Sequence, residues 1–157
     1  MSQDDMRDYW DRYVEGWNDH DPRAVRDAFT SEGTIDAPTA DEPMVGKEIE
    51  EWVEGLVDGF PDVTFEEHRV LSTDEDGVFV VEWTLLGTHT ESFQGLPPTD
   101  NAVAVDGVDV ATISEAGIES LTVYFDQHAL MEQLGLTFPT ILTQIPKLAV
   151  GAARNAF

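Results

Sequence analysis

The sequence predicts an α+β domain. A strongly curved antiparallel sheet wraps around N-terminal helices and leaves a cavity in its concave face. Three observations predict this. Apolar residues in the first third recur mainly at spacings of three and four, whereas those from residue 63 to 125 recur at two. The helical segments come first and the strands follow, separated by tight turn signals, rather than alternating as in a parallel α/β fold. Finally, 157 residues with 41% apolar content suit one domain large enough to bury a core and still enclose a pocket.

Met6, Tyr9, Trp10, Tyr13, Val14 and Trp17 fall on one face of a helix from Met6 to Trp17. Asn18 to Pro22 breaks it, and "PRAVRDAFT" starts a second helix with Pro22 in its first turn. "GTIDAP" reads as a short strand and "TADEPMV" as a loop. Lys47 to Asp58 forms a third helix, with Ile49, Trp52, Val53 and Leu56 on one face. "VTFEEHRVLST" and "VFVVEWTLLGTHT" are strands joined by a hairpin turn at "DEDG". "FQGLPPTDN" is a loop. "AVAVDGVDVATI" is a strand expected to bulge at Gly107, and Ile118 to Phe125 is the last strand. A short helix runs on to Gly135.

The domain so defined spans residues 1–136, an α+β barrel. Residues 137–157 form a tail without a single acid, in a chain that has 32 acids against 8 basic residues. Phe138, Ile141, Leu142, Ile145 and Leu148 have helical spacing, limited by Pro139 and Pro146. Such a tail is expected to lie on an apolar surface: the pocket mouth, its own sheet, or a second subunit. The expected assembly is a homodimer.

The net charge of −24 argues against nucleic acid and anionic membranes as partners. Acids are spread along the whole chain. Salt screens their mutual repulsion beyond about 3 Å at 1 M, so the composition points to a halophilic, salt-rich cytoplasm. The N-terminus has no secretory pattern, no apolar run reaches membrane-spanning length, and there is no cysteine for disulfide or thiol chemistry. A cytoplasmic location is expected.

Asp126 stands where the last strand becomes a helix. Two roles fit it. As N-cap of "QHALMEQL" it would satisfy backbone N–H groups. Buried against Tyr124, Trp83 or Phe93, it would be a carboxylate with a raised pKa, able to take a proton. Alternation along the strand puts Ser120, Thr122, Tyr124 and Asp126 on one side, the expected cavity side, and Leu121, Val123 and Phe125 on the other. His89 shares a face with Phe79, Val81, Trp83 and Leu85; it is either a hydrogen-bond donor to a substrate oxygen or a satisfied core residue. Tyr13, Trp17 and Trp52 lie on apolar helix faces that suit either the core or the wall of a pocket for a flat ring. No HxxxH, HExxH, phosphate loop or GxSxG pattern is present, so no metal site, phosphate loop or serine triad is expected.

The blocks "GWNDHDPRAVRDAF", "GFPDVTFEEHRV", "GTHTESFQGLPPT" and "YFDQHALMEQLG", in this order, resemble the SnoaL-like polyketide cyclases, or ester cyclases, of the nuclear transport factor two-like, ketosteroid-isomerase-like superfamily. The resemblance covers roughly Met6 to Leu136. It implies a cone-shaped fold and intramolecular aldol ring closure of a polyketide-like carbonyl compound, without cofactor. It also implies a carboxylate base at the end of the last strand, where Asp126 stands; His89 or Tyr13 is the expected donor to the enolate. Tyr13, Trp17, Trp52, Trp83, Phe93, Tyr124 and Thr112 are the expected substrate-binding residues. Family members often carry His or Arg on the penultimate strand; here that strand offers Asp106, Asp109 and Thr112. The second function class is a binding protein of the same fold that holds a hydrophobic small molecule without turning it over.

Overall fold

The computed structural model of the chain describes residues 2–137 and 141–155. Phe138 and Pro139 of the predicted tail helix lie outside the described residues.

Two helices precede the first strand, and a third follows the second strand. α1 (Gln3–Asn18) opens on a capping box in which Ser2 and Asp5 bond each other's backbone N–H, and it buries Trp10, Tyr13 and Trp17. α2 (Pro22–Asp27) is capped by Asp21 and starts on Pro22. α3 (Lys47–Gly59) buries Ile49 and Val53. The strands are β1 (Phe29–Asp36), β2 (Met44–Val45), β3 (Thr64–Ser72), β4 (Val78–Thr88), β5 (Ala102–Ser114) and β6 (Gly117–Phe125), followed by α4 (Gln127–Gln133) and α5 (Ile141–Asn155).

The six strands form one open, curved sheet in the order β2-β1-β6-β5-β4-β3. β3 to β6 make the predicted antiparallel meander. β1, however, pairs with β6 in parallel, and part of the predicted "TADEPMV" loop is the two-residue strand β2. A parallel neighbour needs a long crossover. The chain from α3 to β5 provides it, a long-range relation that strand periodicity does not carry.

One face of the sheet packs on the helices, and alternation decides which side chains go there. On β4 these are Phe79, Val81 and Trp83; on β5, Val103, Val105, Asp109, Ala111 and Ile113; on β6, Leu121 and Val123. The expected orientation of β6 is therefore reversed. Leu121 and Val123 face inward, while Tyr124 is 58% exposed. Burying the apolar row outweighs any preference for a polar wall.

The expected bulge at Gly107 is absent. Gly107 stays in register with Trp83 on one side and Phe125 on the other, and the irregularity falls between Thr112 and Ile113. Gly107 has a different function. A Cβ there would stand 2.2 Å from the Trp83 ring. The missing side chain lets the indole lie across β5.

The apolar residues divide into two clusters. One gathers Trp10, Tyr13, Trp17, Phe65, Trp83 and Val123 between α1 and the sheet. The other gathers Phe60, Val63, Phe93, Val103, Val105 and Leu134 near α4. Aromatic edge-to-face contacts stiffen the first, such as Trp17–Trp52 with centroids 5.7 Å apart. Each such pair contributes about 0.5–1.5 kcal/mol beyond its burial. α5 lies against the proline loop: Gly151 sits on Pro97, and Lys147 Nζ reaches Thr99 O at 3.5 Å. Gln144 is buried, whereas Leu142, Ile145 and Val150 are exposed. Among the described residues no helix is long and apolar enough to cross a membrane.

Candidate active site

A chamber separates the two clusters. It is a narrow cavity of about 70 Å³. Tyr13 and Trp17 from α1, Trp52 and Leu56 from α3, and Trp83 from β4 contribute to its wall. Phe93 from the loop after β4 and Leu130 of α4 also line it. Five of the expected binding residues therefore meet in one place: Tyr13, Trp17, Trp52, Trp83 and Phe93.

The wall holds one carboxyl group among the described residues, that of Asp109 on β5. Asp109 is 1% exposed and its Oδ1 has no hydrogen-bond partner. Burial pushes its pKa up from 3.8 to about 7; the Trp83 indole beside it pulls weakly the other way without completing a hydrogen bond. Near neutral pH this carboxyl passes between acid and base. Tyr13 stands close enough to feel its charge. Burial first, then Asp109, raises the Tyr13 hydroxyl well above its usual range, so it stays a neutral donor.

Asp126 is elsewhere. It is exposed and N-caps α4, its Oδ1 accepting from the backbone N–H of His128 at 2.9 Å and Ala129 at 3.2 Å. With Tyr124 it lines an open groove on the opposite face of the sheet. Of the two roles open in the sequence, the geometry supplies the cap. That cap starts α4, whose Gln133 side chain bonds Ala104 N and O, at 2.6 and 3.0 Å, and whose Leu130 lines the chamber. Asp126→Ala is expected to cost about 1 kcal/mol in chemical unfolding, whereas Asp126→Asn, which still caps, changes stability little.

His89 is fully buried but does not line the chamber; it stacks behind Phe60, ring centroids 5.2 Å apart. Its Nδ1 accepts from Thr99 N–H at 3.3 Å and pairs with Thr99 Oγ1 at 3.1 Å, holding the proline loop in shape. Burial lowers its pKa, so it remains neutral. Thr112 is half-buried on the outer side of β5, since Ala111 and Ile113 beside it take the inward positions.

The sequence did contain a signal for Asp109. Val103, Val105, Gly107, Asp109, Ala111 and Ile113 alternate at period two, with one acid in an otherwise apolar or small row. Among 32 acids the residue type alone does not single it out. No group of three or more His, Asp or Glu side chains is placed to hold a metal among the described residues.

Solved structures share this fold at low identity. TsrD from Streptomyces laurentii superposes with a TM-score of 0.75 at 15% identity, covering 87% of this chain and 99% of that one. IdmH from Streptomyces antibioticus gives 0.70 at 20%, covering 82% and 97%. A ketosteroid isomerase-like protein from Catenulispora acidiphila, solved with trimethylamine, gives 0.69 at 18%, covering 82% and 93%. A search of curated proteins returned no match. The SnoaL-like polyketide cyclase profile matches residues 7–134, from the first helix to the end of α4, and the chain belongs to that family.

Proposed function

We propose that the chamber is the active site of a cofactor-independent cyclase or isomerase for a neutral, apolar, polyketide-like carbonyl compound, with Asp109 as the general base. The observation that carries this is the lone buried carboxyl in an apolar wall, its pKa raised by burial to about 7. An ordinary aspartate, with a pKa near 3.9, is too weak a base for a carbon acid; one raised to neutrality is matched to the task. This moves the base from the helix cap at Asp126 to the penultimate strand.

The chemistry is balanced within the substrate. The Asp109 carboxylate takes a proton from the carbon alpha to a carbonyl. The C–H electron pair becomes the enolate double bond, and the carbonyl π pair moves to oxygen. The enolate carbon then attacks a second carbonyl of the same molecule and closes the ring. The new alkoxide recovers the proton from Asp109. Tyr13, kept protonated, is a neutral donor beside the developing charge. Trp52 and Phe93 hold a flat ring by apolar contact.

Deuterium exchange at the alpha carbon of 2-tetralone in D2O, followed by NMR, tests the base directly. The protein is expected to speed exchange as pH rises through about 7. Asp126→Asn should exchange at the wild-type rate. Tight binding of 2-tetralone with no faster exchange at any pH would instead favour the non-catalytic binding protein.

The charge suggests where the protein works. Only 8 basic residues face 32 acids. Among the described residues the ion pairs are few and mostly exposed, such as Arg69–Glu82 at 2.7 Å and Arg7–Glu67 at 2.8 Å. A salt-rich cytoplasm fits this balance. The melting temperature is expected to rise as KCl increases from 0.1 to 2 M in a thermal scan; a falling value would count against it.

A further inference from the structure

Residues 37–43 join β1 to β2 and contribute Thr39 to the chamber wall. Pro38 and Pro43 have no N–H to offer a sheet. Among the described residues the one backbone hydrogen bond of this segment is internal, Ala40 N–H to Ala37 O at 3.0 Å. Pro38, Asp41, Glu42 and Pro43 are exposed. Three side chains tie the segment to the rest of the molecule. Gln127 Nε2 of α4 donates to Pro38 O at 2.6 Å. Gln94 Nε2, from the loop after β4, donates to Thr39 O at 3.4 Å. Trp52 Nε1 of α3 donates to Thr39 Oγ1 at 3.2 Å. Each donor belongs to an element that also walls the chamber. Trp52 lines it directly, Phe93 stands next to Gln94, and Leu130 lies one helical turn beyond Gln127.

The cavity holds about 70 Å³, whereas sites for small organic molecules span about 300–1,000 Å³. A bicyclic ketone therefore needs part of the wall to yield. Tyr13, Trp83 and Val123 are buried core residues on α1 and the sheet, and moving them would break a packed cluster. Residues 37–43 are held by three side-chain bonds and already largely face water, so their opening is the least costly.

We propose that residues 37–43 are a strap that gates the chamber, latched by Gln94 and Gln127. The inference rests on the chamber as the ligand site and adds how a ligand enters it. When the strap lifts, the Pro38 and Thr39 carbonyls and both glutamine amides exchange one another for water, which keeps the cost of opening small. Trp52 loses Thr39 Oγ1 and is free to turn away from Trp17, against which its ring stands edge-on at 5.7 Å. The wall then widens on the α3 side while Asp109 stays in place on β5. Neutral amides suit a latch in a chain of net charge −24: their bonds survive changes of salt that would weaken an exposed ion pair.

Relaxation dispersion of the backbone 15N resonances reads the motion in the free protein. The Thr39, Ala40 and Asp41 amides are expected to exchange on the microsecond-to-millisecond scale. The open population should rise about fivefold in Gln127→Ala and in Gln94→Asn, the effect of losing one neutral hydrogen bond. Both glutamines are exposed, so neither change reaches the core, and asparagine suits the φ of 49° at Gln94. In stopped flow, 2-tetralone should change tryptophan fluorescence at a rate that levels off with concentration, and each variant should raise that plateau about fivefold. Flat dispersion profiles at residues 39–41, or an open population that neither variant changes, overturn the strap. So does a binding rate that climbs without limit and is the same in all three proteins. Dispersion needs no ligand, so the strap is judged even where 2-tetralone fails to bind. Asp109→Asn should keep the strap motion while losing exchange at 2-tetralone. A strap that moves in a protein that never speeds exchange refutes the base and leaves the gate.

Discussion

Asp109→Asn is expected to slow alpha-carbon exchange about 10²–10⁴-fold, the usual contribution of a positioned general base. The same substitution is expected to alter the pH dependence of stability in a defined direction. In the fold the Asp109 pKa is raised from 3.8 to about 7, so the folded state holds that proton more tightly than the unfolded chain. Below about pH 3.8 the group is protonated in both states and has no effect. Between there and about pH 7, stability is lost as pH rises, and above about 7 the full cost is present. That cost is of order 4 kcal/mol from the size of the shift. Asparagine cannot ionise. Its stability relative to wild type should therefore improve from pH 4 to pH 7 and then level off, whatever constant penalty its amide adds. Urea unfolding at several pH values measures the difference. A flat difference would mean that Asp109 is solvated and not the base.

Gly107→Ala should produce the second largest effect. The new Cβ would lie 2.2 Å from the Trp83 ring, and that ring is buried between Phe65, at a centroid distance of 5.5 Å, and the chamber. The indole has no easy retreat, so either β5 shifts or the ring leaves its rotamer. Overpacking of this kind costs about 1–3 kcal/mol. Exchange at 2-tetralone should fall along with stability, because a displaced Trp83 narrows the chamber beside Asp109. Gly55, where an added Cβ meets nothing within 4 Å, is the control: Gly55→Ala lies within α3 and should be neutral or stabilising. If Gly107→Ala proves equally benign, the Trp83 ring is not held as described.

These expectations differ in how far the sequence alone supports them. The helical repeat of Trp10, Tyr13 and Trp17, the turn at "DEDG", and the alternation on β4 and β5 are local patterns. Each arises from side chains a few residues apart, and each appears in the structure close to where periodicity places it. The aromatic wall was legible for the same reason: large apolar residues on a helix face or strand face turn inward. Asp126 shows the limit. Its position in the chain fits both a cap and a base, and local spacing offers nothing to choose between them. The sheet decides, because the side of β6 that is buried is the one carrying Leu121 and Val123.

By itself, then, the sequence determined the class of fold, the order of its elements and the aromatic character of its interior, since local periodicity and burial of apolar surface suffice for these. Tertiary structure alone decided which of 32 acids is starved of water. Desolvation depends on what every neighbouring element leaves uncovered, and no stretch of chain around Asp109 contains that information.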